Sequence, residues 1–234
     1  MKKILLLFVV FLFSAVSGYA QSEVTRFLGI PIDGTKSEMI KQLKKKGYIY
    51  KPEYDRLEGE FNGTDVYISV VTNNNKVYRI CVCDRNTVDE TNIKIRFNRL
   101  CYQFGDTKRY IGNPEDYIIP EDEDISYEMT VHNKRYQAVF YQNLNNLDEY
   151  KNVGQVDSTR MNGLMETLEK WKESPDQIDL SSFSEEDLNL LMLLYEFAAS
   201  ENRHVWFKIE GKYGKYRILM YYDNLENQAN GEDL

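Results

Sequence analysis

The fold class is decided by residues 56–83, which read RLEGEFNGTDVYISVVTNNNKVYRICVC. Apolar and polar side chains alternate along three runs of this stretch, and a period of two is typical of half-buried strands. The runs are separated by Asn62-Gly63 and by residues 73–75, and Asn-Gly between alternating runs is the strongest short signal for a hairpin. The stretch therefore predicts an antiparallel meander. Its core-facing row is expected to comprise Val66, Ile68, Val70, Tyr78, Ile80 and Val82.

Four other segments have the 3.6-residue spacing of amphipathic helices. The first two begin at capping-box spacings, Thr35 with Glu38 and Thr87 with Glu90, and Ser184 begins the fourth. A Ser or Thr at this position accepts a hydrogen bond from a free N–H group of the first turn. Three helices are predicted over residues 36–46, 88–104 and 158–172. The fourth is predicted to begin at the cap formed by Ser184 with Asp187 and to continue through LNLLMLLYEFAA. Their buried stripes are expected to contain Ile93, Phe97, Leu100, Cys101 and Phe104 in the second helix, and Met161, Leu164, Met165, Leu168 and Trp171 in the third.

Two further hairpins are predicted after the second helix in the sequence. One consists of ISYEMTV (125–131) and RYQAVFY (135–141), and the other of HVWFKIE (204–210) and KYRILMYYDN (215–224). Both pairs show the strand alternation, so the prediction is of antiparallel pairing within each hairpin.

The later strands also suggest an internal repeat. Residues 134–144 and 215–225 align without gaps, and one of the identities pairs Tyr141 with Tyr222. We therefore expect an α+β protein built from two or three copies of a helix followed by an antiparallel meander or hairpin. The predicted regions are a signal peptide (1–20), a first helix–meander region (24–156), a second helix–hairpin region (157–225) and a frayed acidic tail (226–234).

The chain begins with two lysines, an apolar run from Ile4 to Phe13 and a softer stretch that ends at Ala20. This order is typical of a secretory signal peptide, and the run is too short to span a bilayer, which needs about 20 apolar residues. An uncleaved membrane anchor is the alternative. We expect an exported protein, periplasmic or extracellular, with no stable membrane insertion after cleavage.

The charge balance excludes one class of partner. The chain has 29 basic and 37 acidic side chains, a formal charge of −8, and removal of residues 1–20 leaves 214 residues with 27 basic and 37 acidic side chains, a charge of −10. Nucleic acids are bound by clustered Lys and Arg. No nucleic-acid partner is therefore expected.

The chain has three cysteines, and an odd number is unexpected in an exported protein because disulfides use cysteines in pairs. Cys81 and Cys83 leave one face of their strand together with Arg79, and Cys101 lies on the second helix. There are three alternatives for these cysteines. All three are unbridged, or one disulfide joins the strand to Cys101, or they serve metal or nucleophilic chemistry. The first is favoured because free Cys is among the most buried residue types, and a zinc site lacks its remaining ligands.

Catalytic signatures are missing from the sequence. His132 and His204 are the only histidines, and both fall at predicted strand positions. No nucleophile elbow, zinc-protease motif, phosphate loop or dinucleotide fingerprint occurs. The acidic run at residues 121–124 lacks the spacing of a calcium loop and is read as a solvated turn. We expect no enzyme, no cofactor and no metal, although carboxylate pairs are not excluded by composition.

The aromatic content is the best pointer to function. The chain has 18 tyrosines, and Tyr supplies contact area at low entropic cost. Alternation in HVWFKIE places Trp206 with Lys208 on the face opposite Val205, Phe207 and Ile209. The candidate binding residues are therefore Trp206, Lys208 and Tyr222, unless a helix covers this face and Trp206 belongs to the core.

The segment FLGIPIDGTKSEMIKQLKKKGY (27–48) resembles the opening of a set of uncharacterised secreted proteins of Bacteroides-type bacteria. In those proteins a similar strand and turn precede a helix that ends in Lys-Gly-aromatic. The order of helix and meander is also similar to the repeats of β-lactamase-inhibitor-like folds and of small outer-membrane-assembly lipoproteins. Neither resemblance implies an active site, and the chain lacks the acylated Cys of a lipoprotein.

These observations predict a non-catalytic exported protein that binds a protein or a cell-envelope component through a sheet face. A secreted hydrolase with a Cys or carboxylate centre is the alternative from a different class. A proteinaceous enzyme inhibitor differs from the first hypothesis only in its partner. Thiol reactivity and an exposed aromatic patch distinguish these hypotheses.

Overall fold

The computed structural model describes residues 24–143, 158–173, 183–200 and 203–229. The chain divides into two compact units, of which one contains Val24–Gln142 and the chain from Asn202 onward, and the other contains Asn143–Glu201. We call them the sheet unit and the helical unit. The predicted signal peptide lies outside the described residues.

The sheet unit contains the ten strands of the described residues. A small two-stranded sheet, β1 with β2, precedes an eight-stranded antiparallel sheet of order β3-β4-β5-β6-β10-β9-β8-β7. The strands are β1 (Arg26–Phe27), β2 (Ile30–Pro31), β3 (Ile49–Lys51), β4 (Arg56–Phe61), β5 (Thr64–Asn73), β6 (Lys76–Asp84), β7 (Tyr110–Ile111), β8 (Gln137–Gln142), β9 (His204–Lys212) and β10 (Lys215–Asp223).

The helices of the described residues are α1 (Lys36–Lys45), α2 (Glu90–Gly105), α3 (Ile125–Val131), α4 (Ser158–Glu173) and α5 (Glu185–Ser200). Together with the antiparallel sheet they make the protein α+β, as predicted. The strand order is symmetrical about the β6–β10 pair, where the meander from β3 to β6 meets the meander from β7 to β10. The internal repeat stays a prediction, and the two residues Tyr141 and Tyr222 that its alignment equates lie on opposite faces of the sheet.

One face of the large sheet carries the core. The expected rows from β5 and β6 are buried except for Tyr78, which a register shift at Val71/Thr72 displaces from the row. The whole predicted stripe of α2 is buried against this face, and Phe97 meets Phe207 of β9 edge-on at 5.2 Å between ring centroids. The sequence patterns of the meander and of α2 were therefore sufficient to predict the main core.

The helix starts follow local capping rules, with one change. Thr35 and Glu38 form the predicted capping box at the start of α1. At α2 the cap is Asp89, which accepts a hydrogen bond from the Asn92 N–H at 2.9 Å, so the predicted Thr87 cap is wrong. Glu90 instead accepts a hydrogen bond from the backbone N–H of Ile125 at 2.9 Å.

The segment predicted as a strand at residues 125–131 is the helix α3. Asp124 caps it by accepting from the Tyr127 N–H at 2.8 Å. Ile125 is buried and Met129 packs against the core, whereas Tyr127 and Val131 are about half exposed. The spacing of four between Ile125 and Met129 fits one side of a short helix as well as it fits a strand. Strand β8 is present, but it pairs with β7 and β9.

The helical unit contains α4 and α5. Ser184 caps α5 as predicted, accepting from the Asp187 N–H at 3.1 Å. Arg160 of α4 forms an ion pair with Asp187 at 2.7 Å. On the predicted α4 stripe Leu164 is buried and Met165 is exposed, and the side chains of Leu168 and Trp171 lie outside the described set.

The chain beyond β10 is held at Asn227, inside the segment that we expected to be frayed. Its amide donates to the Asp33 carboxylate and to the Val77 carbonyl, both at 2.9 Å. The Asn73 amide donates to the backbone carbonyl of Asn227 at 3.1 Å. Residues 230–234 lie outside the described part of the chain.

Candidate functional site

The face of the large sheet opposite the core is called the outer face below. Because paired residues of antiparallel strands point to the same side, the strand register places Cys81, Tyr221, Trp206 and Val139 in one row across four strands. Most of its side chains are half-buried, in contrast to the buried rows of the core face. The outer face consists of Tyr67, Ser69, Val71, Arg79, Cys81, Cys83, Val139, Tyr141, Trp206, Lys208, Glu210, Arg217, Leu219, Tyr221 and Asp223.

The centre of the outer face is a cluster of Trp206, Tyr221, Arg79 and Asp223. The Trp206 and Tyr221 rings stack with centroids 4.2 Å apart and planes inclined by 22°. The Arg79 guanidinium lies 4.9 Å from the Tyr221 centroid and 5.7 Å from the Trp206 centroid. These distances are within the range of cation–π attraction.

Asp223 holds this cluster in place. Its carboxylate accepts from Arg79 Nε at 2.6 Å and Nη2 at 2.8 Å, and from Trp206 Nε1 at 2.9 Å. The Asp223 side chain is only 4% exposed, and its backbone carbonyl accepts from the Thr25 hydroxyl. A buried carboxylate needs such partners, and here they fix both the guanidinium and the indole.

The electrostatics of the cluster follow from these contacts. The Asp223 carboxylate raises the pKa of Arg79 above its ordinary value through the hydrogen bonds and its charge. Burial, with a smaller effect of Cys81, raises the pKa of Tyr221 to about 12. At neutral pH the cluster therefore presents a cation and a neutral phenol beside the indole.

Two smaller charged groups flank the cluster. Arg217 pairs with Glu210 at 3.1 Å, and both side chains are well exposed. The Arg56 guanidinium lies 3.6 Å from the Tyr67 centroid and pairs with Glu58 at 2.8 Å. Arginine and aromatic side chains thus lie together along the face.

The predicted binding residues are divided between two faces. Trp206 and Lys208 lie on the outer face, as the alternation indicated. Tyr222 does not join them: it is 4% exposed on the core face, and Tyr221 is the outward residue of that pair. The alternation of Ile218, Met220 and Tyr222 was the signal that places Tyr222 inside. Arg79 and Asp223 were missed as site residues because their pairing joins distant segments.

The thiols are free and poorly ionised. Cys81, Cys83 and Cys101 form no disulfide. Burial raises the pKa of Cys81 to about 11 and that of Cys101 to about 12, and it also raises the pKa of Cys83. Since the thiolate is the reactive form, these values argue against a cysteine nucleophile.

The remaining candidate groups have structural partners. His132 ends α3 and lies 2.9 Å from the Glu128 carboxylate, and the His204 ring contacts Tyr141. In the acidic run, Glu123 accepts from Lys134 and Tyr136, and Asp124 caps α3. Within the described ranges, no group of three His, Cys, Asp or Glu side chains is placed to hold a metal ion.

Comparison of the chain with protein-family models, with curated proteins and with solved structures finds no match. Among the described helices, none has the length and apolar character needed to cross a membrane.

Proposed function

We propose that the chain is an exported, non-catalytic binding protein that engages a protein partner through the outer face. The observation that carries this proposal is the fixed orientation of Trp206, whose indole is stacked on Tyr221 and bonded to the buried Asp223. A large side chain that is already held in one rotamer loses little entropy when a partner packs on it. Trp, Tyr and Arg are also the residue types that dominate binding energy at interfaces.

The dimensions of the face favour a macromolecule as the partner. Eight strands at a spacing of about 4.8 Å give a surface roughly 34 Å wide, which is comparable with the extent of a standard interface of about 800 Å² per partner. A protein is the favoured partner because the face combines the stacked Trp206 and Tyr221 rings with Arg79, and aromatic residues and Arg are enriched at protein–protein interfaces.

The alternative functions receive less support. A hydrolase with a cysteine centre would need a thiolate, and the raised pKa values of Cys81, Cys83 and Cys101 oppose its formation. An enzyme inhibitor is a special case of the proposal, in which the bound protein is an enzyme. Export rests on the N-terminal pattern of residues 1–20.

The test uses the chain without residues 1–20, immobilised and exposed to envelope extract of the source cells. The retained proteins are identified by mass spectrometry, and the most abundant one is purified and its Kd measured by calorimetry. We expect Trp206→Ala to raise that Kd by about 30-fold, because an anchor of this kind contributes on the order of 2 kcal/mol.

The matched control is Tyr213→Asn, at the tip of the same β9–β10 hairpin. Tyr213 is 88% exposed and has a positive φ that Asn tolerates, so the control removes an exposed aromatic without affecting the cluster. Equal Kd values for the wild type and Trp206→Ala would refute the proposal. Retention that depends on added glycan, with no purified protein binding, would assign the face to an envelope polysaccharide instead.

A further inference from the structure

A second candidate site lies on the core side of the sheet unit, where α2 passes the end of β4. A cleft of about 520 Å³ opens there, within the range of small-molecule sites. Its walls are mainly aromatic and aliphatic, and Asn62 and Gln103 lie at its mouth, joined by a 2.8 Å hydrogen bond. The walls include Tyr48, Phe61, Leu100, Phe104, Tyr110 and Tyr222.

Three tyrosines, Tyr48, Tyr110 and Tyr222, contribute polar side-chain groups to the lining of the cleft. Burial raises the pKa of Tyr110, and the neighbouring Gln142 and Tyr222 side chains oppose this by smaller amounts. Gln142 is itself fixed by two hydrogen bonds to the backbone of Arg26, at 2.7 and 2.6 Å. Tyr110 lines the cleft and carries one phenolic O–H donor for a molecule bound there.

The charges around the cleft select against anions. Glu60 lines it, and none of the described lining residues is basic. Burial raises the pKa of Tyr48, Tyr110 and Tyr222, so these phenols remain neutral donors at physiological pH. An anionic ligand would meet the Glu60 carboxylate without any compensating cation.

The rim of the cleft includes the tip of the β1–β2 turn. Leu28, at the tip of the β1–β2 turn, has φ of +52° and is 37% exposed beside the cleft. Gly29 follows with φ of +81°, and positive φ at both central residues is what a two-residue type I′ hairpin turn requires. The turn therefore holds an apolar side chain at the mouth of the cleft.

We propose that this cleft binds an uncharged, largely apolar ring compound that has one hydrogen-bond acceptor, such as a carbonyl oxygen, directed at the Tyr110 hydroxyl. The compound packs its ring against Phe61 and Phe104 and is closed in by Asn62 and Gln103 at the mouth. This site is separate from the outer face, so the proposal does not rest on the protein partner proposed above.

The test is a fluorescence titration of the chain without residues 1–20 with two naphthalene probes. The first is uncharged 6-propionyl-2-(dimethylamino)naphthalene, which has one carbonyl acceptor, and the second is anionic 8-anilinonaphthalene-1-sulfonate. We expect saturable binding of one molecule of the uncharged probe with a blue-shifted emission, and at least tenfold weaker binding of the anion.

Two variants locate the site. Tyr110→Phe keeps the ring but removes the O–H donor, and it should raise the Kd of the uncharged probe by about five- to tenfold. Gln103→Trp fills the mouth from an exposed helix position and should abolish binding without touching the core. Ile95→Trp is the matched control, because Ile95 is 58% exposed on the same helix and does not line the cleft.

The outcomes separate clearly. Equal loss of binding in Gln103→Trp and Ile95→Trp, equal affinity for the two probes, or no saturable binding of the uncharged probe would each overturn the proposal. Trp206→Ala should leave probe binding unchanged, so failure of the cleft and failure of the outer face are distinguishable.

Discussion

Asp223 is the residue whose replacement should disturb the outer face most. Its carboxylate accepts three hydrogen bonds, two from Arg79 and one from Trp206, at 2.6 to 2.9 Å. Removing one partner of a buried ion pair costs about 3–5 kcal/mol. The Arg79 side chain is 25% exposed, so water can rehydrate it in the variant. We therefore expect Asp223→Ala to lower the free energy of unfolding by about 3 kcal/mol, the lower end of that range.

The isosteric variant refines the expectation. Asp223→Asn retains one side-chain oxygen, which can still accept from Arg79 or Trp206, but it loses the charge that strengthens these bonds. Its expected cost is about 1.5 kcal/mol, within the range for a hydrogen bond to a charged group. With a urea m-value of about 2 kcal/mol/M, the midpoint should fall by about 1.5 M for Asp223→Ala and by about half of that for Asp223→Asn.

The assay is urea unfolding followed by tryptophan emission in a Trp171→Phe background, because Trp171 and Trp206 are the only two tryptophans. Emission then reports on the indole that Asp223 holds. The control is Glu210→Ala, which breaks the exposed pair with Arg217 on the same face and should cost less than about 1 kcal/mol. If Asp223→Ala shifts the midpoint no more than this control does, the carboxylate does not organise the cluster.

The further predictions concern capping, thiol chemistry and glycine positions. Thr35→Ala should lower the free energy of unfolding by about 1 kcal/mol through loss of the α1 cap, measured by urea unfolding. Cys81 should label with a thiol reagent only slowly at pH 8. Labelling at pH 8 as fast as in the denatured chain would contradict the slow labelling. Between about pH 9 and about pH 11 the folded state keeps the Cys81 proton that the unfolded state loses, because the pKa of Cys81 is raised in the folded state. The free energy of unfolding should therefore fall as the pH rises through this range. Gly211→Ala should destabilise the fold by about 2 kcal/mol, because a Cβ would lie 2.0 Å from Cδ1 of the buried Tyr216, whereas Gly163→Ala in α4 has open space and should raise the melting temperature.

The parts of the fold that the sequence predicts well are those governed by local rules. The Thr35 capping box and the stripe from Ile93 to Phe104 depend on spacing within about three helical turns or less, and both are present as expected. Residues 125–131 were misassigned because their pattern fits a strand as well as a short helix. The Asp124 cap and the bond from Ile125 to Glu90, 35 residues away, favour the helix.

The candidate site was only half predictable for a similar reason. The alternation around Trp206 identified its face, since neighbours on one strand are sufficient for that. Arg79 and Asp223 pair across a separation of 144 residues, through the contact of β6 with β10. Neither residue has a local pattern that indicates burial, and the pairing of β6 with β10 depends on the whole sheet.

Strand β10 contributes a tyrosine to each of the two proposed sites, and its register determines which tyrosine lies in which site. Tyr221 stacks on Trp206 at the outer face, while the next residue, Tyr222, lines the cleft on the core face. A slip of one residue would exchange the two faces, because side chains alternate along a strand. The end of the strand is fixed against such a slip by Asp223 and by Asn224, whose amide donates to the Ile32 carbonyl at 2.8 Å. The contacts that anchor β10 to the core therefore also keep two adjacent tyrosines in separate sites.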